Sequence, residues 1–292
     1  MERGTRDLTA SLADLRLHYR DWGGEGQPIV LLHGLASTCH IWDLVAPILS
    51  AEFRVVAVDQ RGHGESDKPE SGYDFATVTD DLHNFVTYMD FPRPLIVGHS
   101  WGGDVALEYA VRYAASPLGL CLVDGGTIDI SSREDWDLET AKREMAPPVF
   151  TGMTIDQLLG RARRRFADVL SDDQREGIVG ANFEVLPDRT IRARLSRANH
   201  MRIIEALWDH RPPELYPSVV CPVLLMPARQ KDDTTEESRG FRRGEAVAVA
   251  EKLLPRGKTV WLEDSIHDVP LQRPDLVASV IAEHIKRGYF ET

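Results

Sequence analysis

The stretch that decides the fold runs from residue 95 to residue 103 and reads LIVGHSWGG. A short apolar run ends in glycine, a serine stands between two glycines, and the run DVALEYA follows at 104–110, which predicts strand, sharp turn and helix. Gly98 and Gly102 lie two residues either side of Ser100, so strand and helix can approach closely. The free N–H groups and positive dipole end of the helix start favour an anion beside the hydroxyl. In this context the pattern G-x-S-x-G indicates a nucleophilic serine.

Strands and helices alternate on both sides of this turn. Alternating stretches at 8–13 and 15–22 predict a pair of strands joined by a tight turn. Apolar runs of the kind found in strands buried on both faces lie at 28–32, 53–58, 118–123 and 221–226, with a last strand at 259–262. Helical spacing marks residues 39–49, 75–88, 246–254 and 276–285. The alternation predicts an α/β fold with a doubly wound, mostly parallel sheet.

The character of the chain changes between residues 128 and 217, where only helical signals are found. Thr154 with Gln157, and Ser171 with Gln174, match capping boxes, in which two side chains satisfy backbone donors at a helix start. An insertion of this size above a sheet is usually functional. We therefore expect a core domain of residues 1–127 and 218–292, and a helical cap (lid) of residues 128–217 inserted after the sixth strand.

The composition limits the classes of protein to which this chain can belong. The 292 residues are 42% hydrophobic and 27% charged, as in globular proteins, and the net charge of −12 argues against nucleic-acid or anionic-membrane partners. No run approaches 18 apolar residues, and residues 1–7 lack the apolar stretch of a signal peptide, so the expected location is cytoplasmic. Cys39, Cys121 and Cys221 are odd in number, widely spaced and set among apolar residues, which favours small core residues over a disulfide or metal site.

A serine hydroxyl is a poor nucleophile at neutral pH and needs a base within hydrogen-bond reach, and the base needs an orienting acid. His267 is the candidate base, because it follows the last strand at the carboxyl edge of the sheet, where open α/β sheets bind ligands. The other nine histidines, including His99 beside the serine, are interpreted as structural.

Three motifs carry a family resemblance. His33-Gly34 follows one strand, DQRGHGES at 59–66 follows the next, and GHSWG stands at 98–102. The chain resembles an α/β-hydrolase-fold serine hydrolase with a helical cap over nearly its whole length. The resemblance implies that the backbone N–H groups of Leu35 and Trp101 form the oxyanion hole, whose donors stabilise a tetrahedral intermediate. Dehalogenases and epoxide hydrolases of this fold carry an aspartate at the position of Ser100, in the turn called the nucleophile elbow. The serine at this position argues against both of these activities.

The acid has two candidates. The commonest family pattern implies Asp232 or its neighbour Asp233, which lie in a stretch at 229–245 with ten charges in seventeen positions, predicted to be an exposed loop. The rival is Asp124, at the end of the preceding strand and followed by two glycines, where some members of the fold place their acid. A catalytic acid must be held rigidly. Asp124 is therefore the first choice and Asp232 the alternative.

The combined prediction is a serine hydrolase that cleaves a small-molecule carboxylic ester or lactone through an acyl-enzyme. Trp136, Phe150 and Trp208 are candidates for lining an apolar pocket beneath the cap. No metal or organic cofactor is implied, and the sequence does not indicate the oligomeric state. Carbon–carbon bond hydrolases, amidases and cofactor-free perhydrolases share these residues. A ligand-binding protein that keeps the fold with negligible turnover is the alternative from another class.

Overall fold

The computed structural model describes residues 4–167, 169–230 and 239–291. Its strands are β1 (Arg6–Ser11), β2 (Arg16–Gly23), β3 (Pro28–Leu32), β4 (Arg54–Val58), β5 (Leu95–His99), β6 (Gly119–Val123), β7 (Phe183–Val185), β8 (Ile191–Ala193), β9 (Val223–Met226), β10 (Ala228–Arg229), β11 (Gly257–Thr259) and β12 (Leu262–Glu263). The strands predicted at 28–32 and 53–58 lie within one residue of their observed bounds.

The helices are α1 (Ala46–Leu49), α2 (Phe75–Tyr88), α3 (Trp101–Arg112), α4 (Leu138–Glu144), α5 (Ile155–Arg165), α6 (Asp172–Gln174), α7 (Arg197–Asp209), α8 (Pro212–Leu215), α9 (Arg239–Leu253), α10 (Val269–Gln272) and α11 (Pro274–Lys286). Short 3₁₀ turns occupy Cys39–Trp42, Gly180–Asn182 and Tyr216–Ser218, and a π-helical turn occupies Arg175–Val179. Among the described residues, no helix is both long and apolar enough to cross a bilayer.

Eight strands form one sheet in the order β1-β2-β4-β3-β5-β6-β9-β11. The first two run antiparallel to their neighbours, and the strands from β4 to β11 are parallel to one another. From β3 the chain adds β4 on one side and then returns to add β5 on the other, so the strand order reverses between β3 and β5. Open α/β sheets bind their ligands at such a reversal, beyond the carboxyl ends of the strands. The predicted doubly wound, mostly parallel sheet is confirmed.

The central strands are buried on both faces, because helices cover the sheet from both sides. Successive residues alternate between the two faces, so that Ile96 joins a core cluster with Phe85 of α2, whereas Val97 joins a second cluster with Ile281 of α11. This alternation explains why β3, β5, β6 and β9 read as continuous apolar runs rather than as alternating ones. The three cysteines are free and buried, as predicted.

The segment inserted between β6 and β9 is mostly helical, and both predicted capping boxes form, at the starts of α5 and α6. The expectation that it holds no strand was wrong. Phe183–Val185 and Ile191–Ala193 pair as an antiparallel hairpin, whose strands of three residues are too short to produce a periodic sequence signal. The domain boundaries at 127/128 and 217/218 stay a prediction.

Two helices differ from their predicted bounds. The single helix expected at 39–49 is a 3₁₀ turn followed by α1, in which Pro47 occupies the first turn and begins a new helix instead of continuing the old one. The helix expected from Ala246 already begins at Arg239, inside the charged stretch predicted as a loop. Arginine and glutamate are good helix formers, so a high density of charge does not exclude a helix.

A buried histidine joins the inserted segment to the helix that follows Ser100. His210, at the end of α7, donates from Nε2 to Oδ1 of Asp104 and from Nδ1 to Oε1 of Glu108, both at 3.2 Å. Its ring stacks on Phe75 with centroids 4.2 Å apart. Burial opposes the charged imidazole, but the hydrogen bonds to Asp104 and Glu108 outweigh it and raise the pKa of His210 to about 9. A charged His210 therefore anchors the segment to α3.

Replacing His210 with Gln is expected to lower the free energy of unfolding by about 3 kcal/mol near neutral pH, because the buried Asp104 and the half-buried Glu108 lose their cation. The folded-state pKa of about 9 lies above the ordinary value of 6.5. The stabilisation that His210 provides is therefore complete below pH 6.5 and is lost as the pH rises through about 9. The difference in unfolding free energy between wild type and H210Q, measured by urea denaturation, should shrink from about pH 6 to about pH 10.

The control for this prediction is His83→Gln, which removes a histidine stacked on Tyr113 at a centroid distance of 3.9 Å. H83Q should show the same pH dependence of unfolding as wild type. A wild-type-minus-H210Q difference that stays flat or grows with pH would contradict a charged, stabilising His210.

Candidate active site

Ser100 lies between β5 and α3 in a backbone conformation that residues with side chains rarely adopt. Its φ of 53° and ψ of −128° fall outside the regions that most residues occupy. Two hydrogen bonds hold this conformation: the Ser100 N–H donates to the carbonyl of Val123 at 3.1 Å, and the Ser100 carbonyl accepts from the N–H of Gly103 at 2.8 Å. Strain of this kind persists only where the surrounding structure enforces it, and it is concentrated at functional sites.

Glycines allow the backbone to pack closely around this turn. A Cβ on Gly98 would overlap the carbonyl of Gly102, and a Cβ on Gly102 would overlap backbone carbonyls at the end of β3. A Cβ on Gly125 would overlap the backbone of Ser100 itself. The turn therefore packs closely between the ends of β3 and β6. The glycines of the G-x-S-x-G pattern are required because these backbone segments leave no room for a Cβ.

His267 lies in the loop between β12 and α10, with its Nε2 3.0 Å from Oγ of Ser100. Two contacts fix the loop. Nε2 of His99 donates to the carbonyl of His267 at 2.8 Å, and the side-chain oxygen of Gln272 accepts from the N–H of Ile266 at 2.7 Å. The imidazole thus meets the hydroxyl at hydrogen-bond distance, as a general base requires.

Asp124 follows β6 with a positive φ of 45° and faces His267. Its Oδ2 accepts from Nδ1 of His267 at 2.6 Å, its Oδ1 accepts from the N–H of Ala228 at 2.9 Å, and Oδ1 forms an ion pair with Nε of Arg243 at 2.8 Å. Burial would raise the pKa of Asp124. The hydrogen bond from His267 and then the charges of His267 and Arg243 outweigh burial, so the pKa of Asp124 lies below its ordinary value. The carboxylate is ionised and oriented.

The alternative acid, Asp232, lies outside the described residues, as does Asp233. The register of the sheet accounts for the placement of Asp124. His99 pairs with Val123, so the residues that follow them, Ser100 and Asp124, leave the same edge of the sheet side by side.

The loop after β3 lies against the Ser100 side chain. A Cβ on Gly34 would stand 2.9 Å from Cβ and 3.4 Å from Oγ of Ser100. Two residues on, Ala36 has a φ of 59° and donates its N–H to Nε2 of His63 at 3.3 Å. Burial and the neighbouring His33 lower the pKa of His63 to about 3, so its ring stays neutral and can accept this bond.

The two residues expected to supply oxyanion-hole donors flank the same side chain. Leu35 follows Gly34 directly, and Trp101 follows Ser100 directly and opens α3, where N–H groups have no partner within the helix. The indole of Trp101 stacks on the ring of His63, with centroids 5.4 Å apart. The role of the two N–H groups stays a prediction.

The three aromatic residues expected to line a pocket occupy two different clusters. Phe150 packs in a small cluster within the inserted segment, with its ring 4.8 Å from that of Phe183. Trp136 and Trp208 are half-buried against the large cluster that contains Trp101. These contacts do not join the three side chains into one wall, so their role in binding stays a prediction.

Sequence patterns do not reveal two side chains that touch the site. The sequence places His99 beside the elbow and gives it only a structural role, and its contact with the His267 carbonyl depends on tertiary packing. Arg243 lies in the charged stretch predicted as a loop, where it is one of several similar residues. No local signal marks it, because its partner Asp124 lies 119 positions earlier in the chain.

The tertiary structure also explains the motif at 59–66. Asp59 accepts from Nδ1 of His18 at 2.8 Å and from the N–H of Cys39 at 2.7 Å, which brings three ligand-type atoms within 4.8 Å. A Cβ on Gly64 would overlap this carboxylate. The hydrogen bonds account for the convergence of the three side chains and hold the turn that carries His63.

A serine on a strained turn after a central parallel strand, hydrogen-bonded to a histidine and through it to a buried aspartate, is the arrangement of hydrolases built on a nucleophile elbow. Residues 29–280 match the profile of the alpha/beta hydrolase family. The chain belongs to this family.

Similar proteins differ in the reactions that their names give. A soluble epoxide hydrolase of Corynebacterium sp. is 39% identical over 101 residues, which make up 35% of this chain and 35% of that protein. The match therefore spans about a third of that relative's length. Among solved structures, E-2-(acetamidomethylene)succinate hydrolase superposes with a TM-score of 0.77 at 21% identity, covering 97% of this chain and all of that one. A thioesterase domain from the curacin biosynthetic pathway gives 0.75 at 21%, covering 96% and 99%. At these identities the structures show the fold alone.

Replacing Gly98 with Ala is expected to lower the free energy of unfolding by about 3 kcal/mol, because the new Cβ overlaps the Gly102 carbonyl and neither backbone segment can move freely. Gly160→Ala is the matched control. Gly160 lies in α5 with no atom within 4 Å of the position that a Cβ would occupy, and helix propensity predicts stabilisation by about 0.5–1 kcal/mol there. Urea denaturation measures both. Equal effects of the two substitutions would rule out steric packing at the elbow.

Proposed function

We propose that the protein is a serine hydrolase of carboxylic esters or lactones and that Ser100, His267 and Asp124 form its catalytic triad. One observation carries the proposal. His267 lies 3.0 Å from the Ser100 hydroxyl through Nε2 and 2.6 Å from the Asp124 carboxylate through Nδ1. A hydroxyl, a base and an orienting acid in this sequence of hydrogen bonds are the requirements for activating a serine.

Acylation begins when Nε2 of His267 takes the proton of Ser100 and Oγ attacks the substrate carbonyl. The tetrahedral oxyanion that forms accepts from the N–H groups of Leu35 and Trp101, and each donor of this kind lowers the barrier by about 3–4 kcal/mol. The imidazolium then gives its proton to the leaving alcohol. The products of this half-reaction are the alcohol and an acyl-Ser100 ester.

Deacylation repeats the sequence with water as the nucleophile. The imidazole of His267, neutral again, removes a proton from the water that attacks the acyl carbon, and it then returns that proton to Oγ of Ser100. Asp124 keeps one tautomer of the imidazole throughout, because its Oδ2 accepts from Nδ1. Its burial strengthens its attraction for the imidazolium.

The nucleophile favours acyl transfer over epoxide opening. In the epoxide hydrolases and dehalogenases of this fold, an aspartate at the elbow forms the covalent intermediate, whereas this chain has Ser100 there. A serine alkoxide attacks a carbonyl to give an ester that water cleaves readily. Attack on an epoxide by serine would give an ether, which the same machinery has no means to hydrolyse.

Wild-type protein is expected to hydrolyse short p-nitrophenyl esters, and Ser100→Ala should lower kcat by about 10⁴-fold or more because the nucleophile is lost. Release of p-nitrophenol is the measurement. Ser279→Ala, which removes a hydroxyl bonded to the Leu276 carbonyl on α11, should keep the wild-type rate. Equal rates for wild type and S100A would refute the proposal.

Labelling and binding experiments with the same two variants separate the alternative functions. Labelling of Ser100 by a fluorophosphonate without ester turnover would favour an amide, carbon–carbon or perhydrolytic reaction on the same site. Ligand binding that S100A leaves unchanged, with no product and no labelling, would favour a binding protein.

Replacing Asp124 with Asn is expected to lower kcat by about 10⁴-fold, because the amide favours the wrong imidazole tautomer and no longer stabilises the imidazolium. Asp232→Asn should leave kcat close to the wild-type value. Circular dichroism and thermal melting are the controls that show whether both variants are folded. Loss of activity in D232N with retention in D124N would transfer the role of the acid to Asp232.

A further inference from the structure

The Asp124 carboxylate is shared between the histidine and an arginine. Oδ2 accepts from His267, and Oδ1 accepts from the N–H of Ala228 at 2.9 Å and forms an ion pair with Nε of Arg243 at 2.8 Å. The Asp124 side chain is 0% exposed and that of Arg243 is 21% exposed. The acid of the proposed triad therefore has a guanidinium on one oxygen and an imidazole on the other.

Arg243 is held in this position at two points. Besides its bond to Asp124, it donates from Nη1 to the carbonyl of Ala228 at 2.7 Å. The N–H of Ala228 donates in turn to the same Oδ1 of Asp124. The guanidinium thus joins α9 to the ends of β6 and β10. Both contacts of the guanidinium are with groups at the sheet edge, which holds the guanidinium beside the Asp124 carboxylate.

We propose that Arg243 is a positioning residue that holds Asp124 and lowers the pH at which His267 becomes protonated in the resting enzyme. The inference rests on the proposed triad. Its physical basis is the opposition of two charges. Asp124 attracts a proton onto His267, whereas the cation paired with the other carboxylate oxygen opposes that attraction.

Two other ionisable groups, His99 and Asp268, lie close to His267. The ring of His99 lies 4.9 Å away, but burial and the neighbouring His267 lower the pKa of His99 to about 4, so it is neutral at working pH. Asp268, next in the chain, is paired with the exposed Arg165 of α5 at 2.6 Å, so its charge is partly compensated. Solvent screens this pair more than it screens the buried Arg243 and Asp124 pair.

Arg229 provides a matched control from the same region. It follows Ala228 in β10, and its guanidinium pairs with Glu263 of β12 and covers the ring of Trp261. Arg229→Gln removes one cation and one ion pair near the sheet edge but leaves Asp124 untouched. Arg243→Gln removes the cation on the acid, and Arg243→Lys keeps a cation there.

The test is the dependence of kcat/KM on pH for a p-nitrophenyl ester, measured for wild type, R243Q, R243K and R229Q. R243Q should move the acid limb of the profile to higher pH by about one unit, since the imidazolium is no longer opposed. R243K should move the limb by less than half as much, and R229Q should match wild type. Loss of positioning alone would lower the plateau of R243Q without moving the limb.

The outcomes separate this inference from the proposed function. An acid limb that stays in place in R243Q, or moves equally in R229Q, overturns the effect of Arg243 on the protonation of His267 and leaves the triad intact. Wild-type protein that hydrolyses no ester and is not labelled at Ser100 by a fluorophosphonate overturns the triad itself. If R243Q does not fold, as judged by circular dichroism, R243K decides: a full shift of one unit there contradicts the importance of the cation.

Discussion

The close approach of four backbone segments around Ser100 is the constraint on which the site depends. The turn after β5 packs against the end of β3, the start of α3 and the loop after β6, and a Cβ on Gly98, Gly102 or Gly125 would overlap one of these backbones. Dense packing of this kind enforces the positive φ of Ser100, which an isolated turn would relax. The strand order reverses between β3 and β5, so the strained turn lies at the sheet edge where open α/β sheets bind their ligands.

The second constraint is electrostatic. Asp124 is a buried carboxylate that remains ionised because His267 and Ala228 donate hydrogen bonds to it and Arg243 forms an ion pair with it. Each of these partners comes from a different element, so the charge of Asp124 depends on the packing of β6, β10, α9 and the His267 loop together. A site whose charges are balanced by several elements is sensitive to the position of each one. The position of the His267 ring is therefore linked to the packing of the sheet edge in this protein.

Patterns of local origin are predicted well. The apolar run at 28–32, the helix at 75–88 and the two capping boxes agree with the structure, because burial on both faces, a 3.6-residue period and a reciprocal cap are all written in neighbouring residues. Features without a local period are missed. The β7–β8 hairpin is too short to show alternation, and Pro47 divides a helix that apolar spacing alone would continue.

The sequence by itself determined the α/β alternation and the strand-turn-helix at Ser100, and it marked His267 as the candidate base, because each is encoded in a short stretch and its flanking residues. Between Asp124 and Asp232 it left two candidates open. Tertiary structure places Asp124 against His267, through the register of β5 with β6, and brings Arg243 from a distant helix onto the same carboxylate. Such pairings depend on which strands become neighbours, and no local pattern carries that information.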